Sequence, residues 1–235
     1  MPELSLLTFS ALFFFGVFIG LTGSALGIGG GIFMVPFLVL ALKVPIHQAV
    51  AASLVAIVAT SSAVAAVNVE RGLANIRLGI TLEVATAVGS LAGAVAASRL
   101  PASSVQLLFS LVLFPVSALM FLKGKGIVSP RTGRVRVPEK GSPFDSGFFD
   151  PAAAEHTSYE VRNIVPASAV SLFAGSLSGL LGIGGGIVQV PLMNLLCGVP
   201  MKAAAATSNF IIGVSAAASA YVYFRKGFIP VELTG

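Results

Sequence analysis

An eleven-residue motif occurs twice in this chain, with the copies offset by 155 positions. The first copy runs from Leu26 to Pro36 as LGIGGGIFMVP, and the second runs from Leu181 to Pro191 as LGIGGGIVQVP. Aligned without a gap, residues 26–78 and 181–233 agree at 21 of 53 positions. This agreement indicates an internal duplication, in which each half carries a glycine-rich break followed by a proline.

The composition places this duplication in a lipid bilayer. Hydrophobic residues make up 56% of the chain and charged residues 10%, and the mean hydropathy is +0.96. Soluble domains carry about 25% charged residues, so we predict an all-α polytopic membrane protein. Six apolar stretches approach or exceed the roughly 20 residues that span a bilayer. They are 5–26, 46–69, 77–98, 101–122, 164–181 and 203–224.

Two shorter apolar segments, 28–42 and 183–197, directly follow the glycines and predict broken or partly re-entrant helices. We therefore divide the chain into a first repeat at 1–123 with about five membrane segments, a linker at 124–160, and a second repeat at 161–235. The second repeat holds about three membrane segments and the start of a further one. Because five segments, an odd number, separate each element from its copy, we predict an inverted repeat.

Two expectations concern completeness and orientation. The second repeat is expected to be C-terminally incomplete, because the equivalent of Leu122 would be residue 277 (122 + 155) in a chain of 235 residues. Seven of the 14 Lys and Arg residues lie within 123–162, which predicts a mobile cytoplasmic loop in the linker and an external N-terminus in the plasma membrane. We therefore attribute the net charge of +5 to the basic residues that set the orientation of the chain in the membrane, and no nucleic-acid partner is expected.

The glycine breaks are candidate anion sites. If a helix resumes after each break, its first turn presents unpaired N–H groups and a positive dipole end, and glycine lets an anion approach the backbone closely. The alternative is that the glycines only permit close helix packing, as small residues do in membranes. The candidate substrate-binding glycines are Gly29, Gly30, Gly31, Gly184, Gly185 and Gly186.

Four polar residues and one acid complete the candidate site. Ser53, Thr207, Ser208 and Asn209 follow the breaks and are candidates to donate hydrogen bonds to an anion, or else to cap helices or bond within the bundle. Glu83 is a carboxylate well inside a predicted span, and it is a candidate proton-coupling group or a partner of Arg77. With one cysteine and no nucleophile–base arrangement, no enzyme, metal site or cofactor is expected.

The paired GIGGGI–VP motifs, followed by Ala51-Ala52-Ser53 in one half and Ala206-Thr207-Ser208 in the other, resemble the TauE/SafE sulfite exporter family. The resemblance implies a transporter of small sulfur oxyanions or sulfonates, with some relatives handling carboxylates. One departure makes the implied site asymmetric, since Ala52 stands opposite Thr207. The family pattern carries over to Gly27–Gly31, Pro36, Ser53, Gly182–Gly186, Pro191, Thr207 and Ser208.

The sequence therefore predicts a secondary transporter of small anions, sulfite or organosulfonates, that works by alternating access across the plasma membrane. Two alternatives stay open at this point. One is a non-transporting or incomplete membrane subunit that needs a partner chain, and the other is an anion channel. A homodimer is also compatible with the sequence.

Overall fold

The computed structural model describes residues 6–124, 142–150 and 155–229, which form eight helices and one β-hairpin. The helices are α1 (Leu6–Leu26), α2 (Gly31–Leu40), α3 (Ile46–Glu70), α4 (Ile76–Ala97), α5 (Ala102–Gly124), α6 (Ile164–Leu181), α7 (Gly186–Leu195) and α8 (Met201–Arg225); the strands are β1 (Ser146–Asp150) and β2 (Glu155–Tyr159). Helices α3, α4, α6 and α8 are long and apolar enough to cross a membrane. The all-α polytopic prediction is confirmed.

The duplication in sequence is also a duplication in structure. Helices α2 and α7 have the same length of 10 residues, and α3 and α8 the same length of 25 residues. The bounds of each pair differ by the 155-residue offset, and α1 and α6 end at equivalent residues, Leu26 and Leu181. The inverted orientation of the two repeats in a membrane stays a prediction.

The short helices α2 and α7 correspond to the two shorter apolar segments of the sequence. Ten residues of α-helix are about 15 Å long, which is about half the hydrocarbon thickness of a bilayer. Each contains a proline, Pro36 or Pro191, in its middle. Each ends before a residue with positive φ, Lys43 at 53° and Gly198 at 77°, so the chain reverses there and enters the next long helix.

Helices α4 and α6 pack through glycines at four-residue spacing. A Cβ atom on Gly89 or Gly93 would overlap backbone atoms of α6, and one on Gly175 or Gly179 would overlap backbone atoms of α4. Small residues at this spacing let two membrane helices approach until their backbones touch, where van der Waals packing is strongest. This interface fixes α4 against the second repeat, although α4 belongs to the first.

The linker contains structure that the sequence did not predict. Strands β1 and β2 pair antiparallel, with Ser146 opposite Tyr159. Phe148 and Tyr159 are buried against the same apolar cluster as Leu78. We expected a mobile loop over the whole linker, whereas its described part forms a hairpin because these aromatic side chains bury against the ends of the helices.

Candidate functional site

The two breaks have the same backbone conformation. Three glycines in each copy lie in the left-handed region, which residues with a side chain adopt only at a cost of about 1–2 kcal/mol. The duplicated glycines therefore specify two equivalent sharp turns. The φ angles are 69°, 81° and 80° at Gly27, Gly29 and Gly30, and 68°, 81° and 68° at Gly182, Gly184 and Gly185.

The long helix of each repeat binds the break of the other. The Ser53 hydroxyl in α3 donates to the Gly182 carbonyl at 2.8 Å, and the Ser208 hydroxyl in α8 donates to the Gly27 carbonyl at 2.7 Å. Each donor and each acceptor is the equivalent of the other across the 155-residue offset. Reciprocal contacts of this kind are what a two-fold relation between two copies produces. The two breaks therefore meet, and we call the place where each break contacts the long helix of the other repeat the crossing.

The approach at this crossing is close. A Cβ atom on Gly31 would overlap the Gly182 carbonyl, and one on Gly186 would overlap the Gly27 carbonyl. All four glycines are buried. Close packing is thus one role of Gly31 and Gly186, in line with the alternative weighed from the sequence.

Helices α2 and α7 begin at this crossing with backbone donors that no backbone carbonyl in the described part of the chain accepts from. Within the described residues, the N–H groups of Gly31 and Gly186 have no backbone hydrogen-bond acceptor. The first turn of a helix also carries the positive end of its dipole. Two buried helix starts therefore supply unpaired donors and positive potential on either side of the point where the breaks meet.

Ser178 is a further polar group at the second break, and it was not among the residues predicted from the sequence. Its hydroxyl is buried and has no hydrogen-bond partner in the part of the chain that the structure describes. It lies 3.6 Å from the position that a Cβ atom on Gly185 would occupy. Its equivalent in the first repeat is Gly23, so Ser178 is not a duplicated residue. The available signal was the spacing of Ser171 and Ser178, which lie seven residues, or two turns, apart on one face of α6.

Thr207 and Asn209 sit beside the crossing, about two turns into α8 rather than at a helix start. Thr207 Oγ1 accepts a hydrogen bond from the backbone N–H of Asn75 at 2.9 Å, and Asn209 Nδ2 donates to the Ser24 carbonyl at 3.0 Å. The other amide atom of Asn209, Oδ1, is buried, and no described residue donates a hydrogen bond to it. Asn209 lines a groove of about 540 Å³ between α3 and α8.

Glu83 lies in the interior of the bundle. Its side chain is 8% exposed, and neither carboxylate oxygen has a hydrogen-bond partner among the described residues. The pairing with Arg77 considered from the sequence does not form, since the Arg77 guanidinium donates to the Pro143 carbonyl at 2.9 Å. The structure thus separates Glu83 from the nearest cation on its own helix.

Gln189 in α7 connects three helices. Its Nε2 donates to Thr86 Oγ1 in α4 at 2.8 Å, and its Oε1 accepts from the Ser171 hydroxyl in α6 at 3.2 Å. Both amide atoms are therefore used within the bundle. In the described residues, no group of three or more His, Cys, Asp or Glu side chains could hold a metal ion.

Comparisons with known proteins agree with this architecture. Probable membrane transporter protein YunE of Bacillus subtilis (strain 168) is 28% identical over 232 residues, which are 95% of this chain and 81% of that protein. Probable membrane transporter protein YdhB of the same organism is 26% identical over 223 residues, which are 94% of this chain and 80% of that protein.

A shorter stretch of 59 residues, 25% of this chain, is 44% identical to 13% of Sulfite exporter TauE/SafE family protein 5 of Arabidopsis thaliana. No solved structure matches the chain. The family model described as Sulfite exporter TauE/SafE matches residues 12–235, and the chain therefore belongs to this family of membrane transporters.

Proposed function

We propose that this chain is a secondary transporter that moves a small anion, sulfite or an organosulfonate, across the plasma membrane by alternating access. The observation that carries the proposal is the meeting of two glycine breaks, each followed by a buried helix start with unused N–H donors. Membership of the TauE/SafE family supports membrane transport in general. The substrate class and the mechanism are our proposal.

Backbone donors suit this substrate class. An oxyanion of sulfur presents several acceptor oxygens, and successive N–H groups at a helix start satisfy them without a charged side chain. Neither α2 nor α7 contains Lys or Arg. In this proposal Gly29–Gly31 and Gly184–Gly186 bind the anion through their backbone, and the anion is released readily because no fixed cation holds it.

The hydroxyl groups at the crossing link binding to movement. The Ser53 and Ser208 hydroxyls bond the opposite break, so they must leave these carbonyls when one repeat rocks against the other. In the open states these hydroxyls turn to the anion, assisted by Thr207 and Asn209 on the α8 side. Each half-cycle thus replaces two hydrogen bonds within the protein by two to the substrate. The free energies of the two states therefore stay close to each other.

We further propose that Glu83 couples transport to protons. Intramembrane carboxylates that face the bundle interior commonly act as proton-relay groups. Helices α6 and α7 contain no Asp, Glu, His, Lys or Arg, and α8 carries Lys202 and Arg225 only near its two ends. Arg77 is engaged by Pro143. No cation in the described part of these helices therefore neutralises the Glu83 carboxylate directly.

The test of function is sulfite flux into proteoliposomes that contain the purified protein, with sulfonates, thiosulfate and dicarboxylates as competitors. We expect saturable uptake that sulfonates inhibit and that a pH gradient accelerates. Flux that neither saturates nor responds to a gradient would favour the channel. Absence of flux from a monodisperse protein would favour an incomplete subunit that requires a partner chain.

The test of the site is the Gly185→Ala variant with Gly227→Ala as its matched control. Both glycines have similar φ angles, 68° and 72°, so both variants carry similar backbone strain. Only the methyl group at residue 185 lies in the break, whereas the one at residue 227 meets nothing within 4 Å. We expect at least a tenfold loss of sulfite affinity for Gly185→Ala alone, and equal affinities would remove the break as the binding site.

The test of coupling is Glu83→Gln with Glu70→Gln as its control, since Glu70 is exposed at the end of α3. We expect Glu83→Gln to retain sulfite exchange at equal pH but to lose acceleration by a pH gradient. The control should keep both properties. An unchanged pH profile in Glu83→Gln would refute the proton-coupling role.

The proposed orientation, with the linker in the cytoplasm and the N-terminus outside, is testable in whole cells. A cysteine introduced at Ser158 in β2 and labelled from intact cells by an impermeant maleimide distinguishes the two sides. The native Cys197 is buried and does not compete. Labelling only after the cells are opened is the expected result.

A further inference from the structure

Helices α1 and α3 leave an open groove on one side of the first repeat. Its volume is about 540 Å³. Apolar side chains along it are largely exposed, with Phe13 at 60%, Val17 at 48% and Leu21 at 68%. A Cβ atom on Gly16 would meet nothing within 4 Å. The groove, which we call the α1–α3 groove, is lined by Phe13, Gly16, Val17, Gly20, Leu21, Ser24, Thr60, Ala63 and Val64.

The equivalent surface of the second repeat, on α6 and α8, is covered by α4. A Cβ atom on Gly175 would overlap the Thr86 carbonyl of α4, and one on Gly179 would overlap the Ser90 carbonyl. On the α8 side, the Ser90 hydroxyl donates to the Ser215 carbonyl at 3.0 Å. Helix α4 therefore lies in the valley between α6 and α8 and touches both along its small residues.

The residues that receive α4 correspond one for one to residues that line the open groove. Subtraction of the 155-residue offset converts the α6 contacts to α1 positions and the α8 contacts to α3 positions. All six resulting positions belong to the α1–α3 groove. The α4-contacting residues Leu172, Gly175, Ser176, Gly179, Ser215 and Ser219 become Val17, Gly20, Leu21, Ser24, Thr60 and Val64.

We propose that the α1–α3 groove is the binding site of a membrane-spanning helix that packs there as α4 packs on α6 and α8. The occupant is apolar and carries small residues three and four positions apart, as α4 does at Thr86, Gly89, Ser90 and Gly93. Gly20 and Gly16 leave room for its backbone, so the contact is driven by close van der Waals packing. This inference does not depend on the transported substrate.

A second copy of the described helices does not fit this description as well. The small-residue face of α4 is already buried against α6 of its own chain, with Gly89 and Gly93 in backbone contact. The matching face of α6, at Gly175 and Gly179, is buried by the same interface. The occupant is therefore a separate helix that resembles α4, rather than α4 or α6 of a neighbouring molecule.

The experiment uses a synthetic peptide with the sequence of α4, Ile76–Ala97, and a cysteine in place of Ser90. Because Ser90 meets Ser219, the equivalent groove position is Val64. The Val64→Cys protein and the peptide are combined in lipid nanodiscs under mild oxidation, and the disulfide-linked product is measured by its mass. Phe18→Cys serves as the control, since Phe18 is 61% exposed and does not line the groove.

We expect the peptide to cross-link to Val64→Cys at least tenfold faster than to Phe18→Cys. Addition of Gly20→Leu to the Val64→Cys protein should abolish the difference, because the leucine fills the groove without entering a packed interface. A peptide with leucine at the positions of Gly89 and Gly93 should likewise fail to cross-link selectively. Equal rates at the two positions would overturn the proposal, as would protein–protein cross-links at Val64 that outcompete the peptide.

Discussion

The two repeats share their breaks but differ in what covers their sides. Both breaks have three left-handed glycines, a short helix with a central proline, and a serine from the opposite long helix on a break carbonyl. In the second repeat α4 lies against the outer faces of α6 and α8. In the first repeat the same faces of α1 and α3 form an open groove.

This difference separates two uses of small and polar residues. The residues that both copies keep determine the backbone of the crossing, where we propose that the substrate binds. The residues found only in the second copy, such as Gln189 with its bonds to Thr86 and Ser171, bind α4 to that repeat. Gln189 is therefore more informative about helix packing than about substrate.

The largest effect should come from placing leucine at equivalent positions on the two faces. Gly175→Leu puts a side chain into the backbone of α4 at Thr86, so we expect a loss of about 3 kcal/mol or more in stability. Gly20→Leu, at the equivalent position in the open groove, should change stability by less than about 0.5 kcal/mol, since a Cβ atom there meets only Thr60 Cγ2 at an ordinary 3.6 Å.

Cys197 provides the measurement. It is the chain's one cysteine and is fully buried, so a thiol-reactive fluorescent dye reports unfolding in detergent. For a chain of about this size, 1 kcal/mol shifts the midpoint by about 2–4 °C. Gly175→Leu should thus lower the midpoint by at least about 6 °C. Similar midpoints for the two leucine variants would contradict the contrast between a covered face and an open one.

The crossing itself should respond symmetrically. Gly31→Ala and Gly186→Ala each place a methyl group against a carbonyl of the opposite break, Gly182 or Gly27. We expect each variant to lose about 2 kcal/mol of stability, because in both variants the added methyl group faces backbone that cannot easily move. The same dye assay compares them directly. A large loss in one variant with none in the other would show that the repeats do not share the crossing equally.

Much of this fold was predictable from the sequence, for a physical reason. Long apolar stretches in a bilayer must form helices, and successive glycines followed by a proline break them, so both short helices were predicted to within a few residues. The hairpin at β1 and β2 was not, because its stability depends on the burial of Phe148 and Tyr159 against helices distant in sequence.

The candidate site was only partly predictable. Duplication singled out Ser53 and Ser208, and the structure places both at the crossing. Their present acceptors are break carbonyls, which no spacing rule reveals. Ser178 has no equivalent serine in the first repeat, so duplication gave no signal for it. Three-dimensional proximity to Gly185 is what makes it a candidate.

A smaller loss should follow from Gln189→Met, which gives the second repeat the residue that the first has at Met34. The variant leaves Thr86 and Ser171 without their buried amide partner. We expect a loss of about 1.5 kcal/mol, close to that of a buried polar group left unsatisfied. If the dye assay shows no loss, Gln189 does not hold α4, and a contact with substrate would become the better explanation for a buried amide there.

The smallest predicted effect tests the symmetry most finely. Ser53→Ala and Ser208→Ala each remove one buried hydrogen bond to a break carbonyl, at 2.8 Å and 2.7 Å. Each single variant should lose about 1 kcal/mol of stability, and the double variant about 2 kcal/mol, since the two bonds use different donors and different acceptors. In flux assays, however, the double variant should lose far more activity than its stability explains, because both hydroxyls are proposed to contact the anion in the open states. Wild-type flux from a double variant that is less stable by the predicted amount would limit these serines to holding the repeats together, and the backbone donors of the breaks would then have to bind the substrate alone.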